Sequence, residues 1–374
     1  MPTPDKRLDK LLQKAQKLGN KSCVAAPKVR RRIEYVCRCL TNRAGVRLLM
    51  ACMLGKLDQP KVDPRNPYTE IGTDDCFSGR TYDEQYITSF INQHALPCNS
   101  TTAFLTPTLR NQNTPLNVDT ELVGRPRDLY KATLLILDDV AKGKISAERV
   151  LTETIRLLLV LRDERKARID TLVKGIEQGV GALPLCVEAI VTLLEQHLAC
   201  KHSSRLPVLM VAAAYTAAAS KLGERARPLR SHTAADEQTG AVGDVEICLI
   251  NDERIVTVYE MKSKRVVQDD VDRALQKILN VSPHIDNYIF ITTDTIEPVV
   301  REYTALMYEK TNGTEIAILD CIGFVRHFLH LFHRLRTTFL DCYQDQVLHE
   351  PDSAVSQPLK EAFLTLRQAA ESDE

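Results

Sequence analysis

No stretch of the 374-residue chain reaches the ~20 consecutive apolar residues of a membrane-spanning helix. The nearest, VLMVAAAYTAAA at 208–219, is shorter and interrupted by polar residues. The first residues, MPTPDKRLDKLLQKAQKLG, lack the continuous apolar core of a signal peptide. Leu8, Leu11, Leu12, Ala15 and Leu18 instead recur at helical spacing and predict an amphipathic helix of the fold. No CxxC pair occurs among the 11 cysteines. Neither the CxC of Cys37 and Cys39 nor Cys200 near His202 completes a zinc-ligand spacing. A structural zinc is therefore not expected, and an odd cysteine count without a leader predicts reduced thiols in a cytoplasmic protein. Internal repeats and low-complexity tracts are also missing.

Net charge is lacking too: 49 basic residues cancel 49 acidic ones. Taken as a total, this argues against a nucleic-acid partner. The distribution says otherwise. Residues 1–60 hold 14 Lys/Arg and 4 Asp/Glu, a net of +10, and residues 341–374 hold 2 and 8, a net of −6, which leaves −4 for the middle. A basic run is either a solvated helical face or a surface for a phosphate backbone. With 44% hydrophobic and 26% charged residues, the composition is that of ordinary globular domains and excludes collagen-like, wholly disordered and disulfide-scaffold chains.

Four segments follow from the pattern. Residues 1–126 form a basic, helical and loop-rich N-terminal region, a candidate for DNA recognition; its stretch 61–117 is dense in Pro, Gly, Asn, Asp and Thr. Residues 127–200 return to helical spacing, with Ser146 as a possible N-cap. Residues 201–340 alternate between helix and strand: a helix Leu206–Leu222, a β-hairpin around Asn251-Asp252-Glu253, a helix Gln268–Leu279, a strand Tyr288–Thr292, a helix Glu297–Lys310, a strand Glu315–Leu319 and a helix Cys321–Phe339. That order predicts an α/β (α+β) core with a mixed sheet flanked by helices. Residues 341–374 form an acidic tail, expected to fray from about Glu350.

The hairpin carries the chemistry. Alternation puts Val245, Ile247 and Leu249 on one face and Asp244, Glu246 and Cys248 on the other. If Asn251-Asp252-Glu253 is a three-residue loop, Ile250 pairs with Arg254, Val245 with Tyr259, and Asp244 lies opposite Glu260, with Lys262 two residues on. Like charges placed opposite each other destabilise a sheet unless a cation sits between them. Hard carboxylate oxygens suit Mg²⁺, which is held by one or two carboxylates together with substrate phosphate. Lys262 is placed to orient or help deprotonate an attacking water and to offset phosphorane charge. The bland alternative is a solvated hairpin with a charge cluster. His327, His330 and His333 recur every three residues, drift around a helix and predict a core-flanking helix rather than a metal site.

GDVEI…YEMKSKR resembles the PD-(D/E)xK nuclease core, with Asp244, Glu260 and Lys262 at the matching positions and Gly243 where a Pro is usual. NPYTEIGTDDCFSGRTYDEQYITSFI, NSTTAFLTPTLRN, SSRLPVLMVAAAY, HTAADEQTGAVGDVEICL and YEMKSKRVVQDDVDRALQKI resemble, more narrowly, the SacI family of type II restriction endonucleases. The resemblance implies a homodimer that cleaves both strands of DNA at a short palindrome with Mg²⁺ and leaves 5′-phosphate ends. It also implies a cognate DNA methyltransferase as functional partner and, if specificity is shared, the site GAGCTC. It implies that Asp244, Glu260 and the backbone carbonyl of Met261 hold the metal. Glu237 and Glu246 are candidate accessory carboxylates, and Lys264 and Arg265 are candidates for flanking phosphates. Arg80, Asn99, Thr101, Thr102, Arg110, Asn111 and Asn113 are candidates for reading bases, since Arg pairs with guanine and Asn with adenine. Two other readings keep the fold: a DNA-binding regulator on a decayed nuclease, and a structure-specific repair nuclease.

Overall fold

A computed structural model describes residues 3–39, 42–99, 102–110, 112, 114–178, 183–229, 242–280 and 284–372. The chain divides into two compact units, Met1–Ala167 and Arg168–Glu374. No helix among the described residues is long and apolar enough to cross a membrane. All 11 cysteines are free thiols.

The first unit is helical: α1 (Pro4–Leu18), α2 (Pro27–Arg38), α3 (Ala44–Asp58), α4 (Gly79–Tyr82), α5 (Thr88–Gln93), α6 (Arg127–Ala141) and the N-terminal part of α7 (Ala147–Gln178). The predicted stripe on α1 buries Leu8, Leu11, Leu12 and Ala15. Helix α3 is buried on every side from Ala44 to Gly55, where every residue but Arg47 is apolar or glycine. Ser146 accepts a hydrogen bond from the Arg149 N–H at 3.3 Å, so it caps α7 as expected.

The second unit is built on a mixed sheet in the order β1-β2-β3-β4-β5, formed by Glu224–Ala226, Val245–Leu249, Ile255–Lys262, Asn287–Thr292 and Glu315–Asp320. The first three strands are antiparallel; β3, β4 and β5 run parallel. Helices α8 (Val187–Leu198) and α9 (Leu206–Leu222) precede the sheet, and α10 (Gln268–Leu279) crosses from β3 to β4. Helices α11 (Pro298–Ala305) and α12 (Met307–Lys310) cross from β4 to β5. Helices α13 (Cys321–Leu331), α14 (Arg336–His349) and α15 (Gln357–Ser372) follow. Alternation divides the sheet cleanly. Val245, Ile247, Tyr259 and Ile291 share a core with α8, α9 and α13, whereas Val258, Tyr288 and Phe290 share another with Val271, Ala274 and Ile278 of α10.

Several expectations need correction. The hairpin register holds at Val245–Tyr259 and Ile247–Thr257, but Cys248 pairs with Ile255, because a bulge adds one residue to β3. Ile250 and Arg254 therefore lie outside the strands, in a longer loop. The helix expected over Glu297–Lys310 is interrupted at Leu306, which leaves Leu306 exposed and turns Met307 into the core. The helix expected over Cys321–Phe339 breaks into α13, a 3₁₀ turn His333–Leu335 and α14. That break lets Phe328 and Phe339 meet at 5.7 Å. The C-terminal segment does not fray: Leu359, Phe363 and Leu364 of α15 are buried, and Arg367 pairs with Asp341 at 2.7 Å.

Candidate active site

The site starts from a close approach of two backbones. A Cβ on Gly243 would lie 2.5 Å from Val258 Cγ1 and 2.8 Å from the Tyr259 carbonyl oxygen, so only glycine fits here. This accounts physically for Gly243 at the position before Asp244. The Asp244 N–H then donates to the Tyr259 carbonyl at 2.9 Å, and the Met261 N–H donates to Asp244 Oδ2 at 2.7 Å. Asp244 thus brackets residue 260 on the adjacent strand, in the juxtaposition the alternation predicted. In a strand, the N–H and C=O of one residue face the same edge. The Met261 carbonyl accordingly shares the edge that Asp244 occupies, while the Lys262 carbonyl faces β4 and accepts from the Thr293 N–H at 3.3 Å.

Glu260 and Lys262 project from β3 on the α10 side of the sheet. Lys262 Nζ lies 2.7 Å from Glu260 Oε1 and 3.3 Å from Asp270 Oδ1. Lys277 Nζ reaches Glu260 Oε2 at 3.1 Å, and the Tyr288 hydroxyl donates to the same oxygen. Asp270 is held in turn: the Val267 N–H donates to its Oδ2 at 3.0 Å, and Arg273 reaches its Oδ1 at 2.5 Å. Burial would push the Glu260 carboxyl up, but hydrogen bonds from Lys262 and Tyr288 and the charge of Lys277 outweigh it and hold the group below its ordinary value. Burial would pull the Lys262 ammonium down, yet Glu260 and Asp270 together raise it above its ordinary value. Asp270 is lowered despite its burial by the Val267 N–H, Arg273 and Lys262.

Asp270, Lys277 and Tyr288 were not among the expected site residues. Asp270 and Lys277 lie seven residues apart beside the apolar stripe Val271, Ala274 and Ile278 of α10, which seats them over the strands. Tyr288 shares the face of Glu260, because Glu260 pairs with Phe290 two residues on. That helix period beside the apolar stripe was the signal that could have found them.

The accessory candidates fall differently. Glu246 is buried, pairs with Arg227 at 3.1 Å and accepts from the Val242 N–H at 3.0 Å, so it ties down the corner that presents Asp244. Glu237 lies outside the described residues, as do Thr101, Asn111 and Asn113. Lys264 is exposed, and Arg265 is exposed and pairs with Glu297 at 2.5 Å. In the first unit Thr102 is buried and donates to Asp83 Oδ2 at 2.6 Å, while the Asn99 carbonyl accepts from Arg47 at 2.6 Å. Both therefore anchor their loop to a buried ion pair. Arg80 is exposed and bonded to Glu84 at 2.7 Å; Arg110 is exposed. His327, His330 and His333 are exposed on α13 and its following turn.

Among the described residues, no three His, Cys, Asp or Glu side chains gather into a metal cage. The donors present are two carboxylates and one carbonyl at a shared strand end. These hard oxygens fit Mg²⁺, which keeps several waters and needs few protein ligands.

Residues 186–293 match the family model of the SacI restriction endonuclease C-terminal domain. The match supports a restriction endonuclease, and hence a nuclease that engages DNA. Asp244, Glu260, Lys262, Asp270, Lys277 and Tyr288 all fall inside it. No curated protein matches the chain.

Proposed function

We propose that this chain is a type II restriction endonuclease of the PD-(D/E)xK kind, hydrolysing both strands of duplex DNA at a short palindromic site with Mg²⁺. The observation that carries the reading is the meeting of Asp244 with the Glu260-x-Lys262 strand end, inside the segment that matches a restriction-endonuclease domain.

In this reading Asp244, Glu260 and the Met261 carbonyl hold the ion. A bound Mg²⁺ supplies Lewis acidity at the scissile phosphate and activates water for in-line attack. Lys262, protonated because two carboxylates face it, orients that water through its N–H donors and offsets the negative charge that grows on the phosphoryl oxygens. It is a poor general base in this setting, since a base works best with a pKa near the operating pH. Glu246 holds the Gly243–Asp244 corner and so keeps the Asp244 carboxylate aimed. A palindromic target calls for a two-fold dimer with one site per strand. GAGCTC is the first sequence to try.

The test is a plasmid and linear-duplex digest with Mg²⁺, followed by sequencing of the ends. Discrete fragments cut at one palindrome and carrying 5′-phosphates are expected. Asp244→Asn, Glu260→Gln and Lys262→Gln should each slow cleavage by at least about a hundredfold. Wild-type rates in these variants would overturn the site. Sequence-specific binding in Ca²⁺ without any cleavage in Mg²⁺ would point to a regulator instead, and cleavage confined to branched substrates would point to a repair nuclease.

A further inference from the structure

Arg273 is the outermost cation of a chain that begins at the strand end. Lys262 Nζ lies 3.3 Å from Asp270 Oδ1, and the Arg273 guanidinium meets the same oxygen at 2.5 Å. A single carboxylate oxygen therefore separates an ammonium on β3 from a guanidinium on α10. One helical turn sets this up, because residues three apart share a face of a helix.

Burial divides the pair. The Asp270 side chain is only 10% exposed, whereas that of Arg273 is 64% exposed. Asp270 is fixed from behind, since its Oδ2 accepts from the Val267 N–H at 3.0 Å and closes the first turn of the helix. Arg273 has no second holder: among the described residues, the one polar partner of its side chain is Asp270. A guanidinium carries five N–H donors in a planar fork. Asp270 takes up part of that fork and leaves the rest open on a side chain that is tethered rather than loose. As a device for stability such an exposed pair contributes little. As a way of holding charged donors beside Lys262 it is well placed.

We propose that Arg273, tethered by Asp270, binds a phosphate next to the scissile one on the cleaved strand. This rests on the nuclease reading above, which brings the scissile phosphate to Lys262. Duplex DNA presents one phosphate per ~3.4 Å of rise on each strand, so a neighbouring phosphate passes close to a cation one oxygen away from Lys262. The planar fork suits a phosphate, which it can engage through two N–H donors. The two cations then divide the work. The ammonium meets charge that grows at the reacting phosphate, and the guanidinium meets charge already present on its neighbour. A contact of the second kind is made equally before and during the reaction, so it shows in affinity rather than in the rate of the bound complex.

The test uses the full chain and a duplex carrying the palindrome that wild type cuts. Binding is read by fluorescence anisotropy in Ca²⁺ over a salt series, and cleavage by single turnover in Mg²⁺ with enzyme saturating. Arg273→Gln should bind about three- to tenfold more weakly, and its plot of log affinity against log salt should flatten by about 0.9. Its rate in the saturated complex should stay within about threefold of wild type. Arg273→Lys, which keeps the charge, should keep the wild-type salt slope. A methylphosphonate removes the charge of one phosphate. Placed at a phosphate adjoining the cut, it should weaken wild type by a similar factor and leave Arg273→Gln no weaker than before. Unchanged affinity and slope in Arg273→Gln, with wild type still cutting, overturns the phosphate contact and leaves the nuclease reading standing. So does a slower saturated rate at unchanged affinity, which would make Arg273 act through Lys262. A wild type that cuts no palindrome overturns both.

Discussion

Asp83 lies fully buried against the fully buried Arg47, at 2.7 Å. Its carboxylate also accepts from the Thr102 hydroxyl at 2.6 Å and the Ala103 N–H at 2.7 Å, and Arg47 gives its remaining donors to the Asn99 carbonyl and the Thr88 hydroxyl. Every strong polar group is answered, which is the condition under which a buried ion pair is tolerated. Asp83→Ala leaves the guanidinium buried without its counter-charge and should cost about 3–5 kcal/mol, whereas replacing both partners with apolar residues should cost much less. Urea unfolding of the full chain, followed by far-ultraviolet circular dichroism, measures both. Nothing in TYDEQYITSF distinguishes Asp83 from its exposed neighbour Glu84, because burial here is decided by a partner 36 positions away. Asp244, Glu260 and Lys262 were legible for the opposite reason: strand alternation and hairpin pairing are local. Asp270, Lys277 and Tyr288 depend on how α10 seats on the sheet and on a parallel register across a helix, which strand spacing alone does not reveal.

At the scale of elements, the helices and strands with strong periodicity were readable, often to the residue, as with Leu206–Leu222 and Gln268–Leu279. What escaped was decided by tertiary packing: the three-residue edge strand β1, the bulge on β3, and the breaks at Leu306 and at His333–Leu335. The packing of α15 against α8 and α14 also escaped, and its central joint is His197. The Leu359 carbonyl, an acceptor only, takes a bond from Nε2 at 3.0 Å, so the ring carries its proton on Nε2 and Nδ1 accepts from the Tyr343 hydroxyl at 3.0 Å. Burial lowers His197 from 6.5 to about 4, against a smaller opposing effect of the Leu359 carbonyl. Below the unfolded value the unfolded chain gains a proton that the folded ring refuses. Stability should therefore fall as pH drops from 6.5 to about 4, by about 1.4 kcal/mol per pH unit from this group, and level off below. His197→Gln should lower stability at neutral pH yet remove this component of the acid slope. Urea midpoints across that window, for both proteins, check the sign.

At the scale of the whole molecule, a zero net charge conceals +10 in residues 1–60 and −6 in residues 341–374. Part of the acidic excess is neutralised inside the second unit by basic residues from outside the segment, where Arg205 meets Glu350 and Arg168 meets Glu361. Part of the basic excess is met likewise, by Lys14 with Glu148, Arg32 with Asp139 and Arg38 with Glu164, whereas Lys28, Arg30 and Arg31 of α2 are exposed, next to Val29 and Ile33, which face the core. A nuclease needs local positive potential rather than a basic total. If α2 meets the phosphate backbone, replacing Lys28, Arg30 and Arg31 with Gln should weaken DNA binding alike for cognate and unrelated duplexes, because phosphate contacts carry no sequence. The plot of log affinity against log salt should flatten by about 0.9 for each phosphate no longer neutralised, so all three substitutions together should lower the slope by up to about 2.7. Fluorescence anisotropy over a salt series, in Ca²⁺ to hold off cleavage, gives that slope directly. An unchanged slope with wild-type affinity would move the backbone-binding surface off α2, and a weakening confined to one sequence would make these residues readers of bases instead.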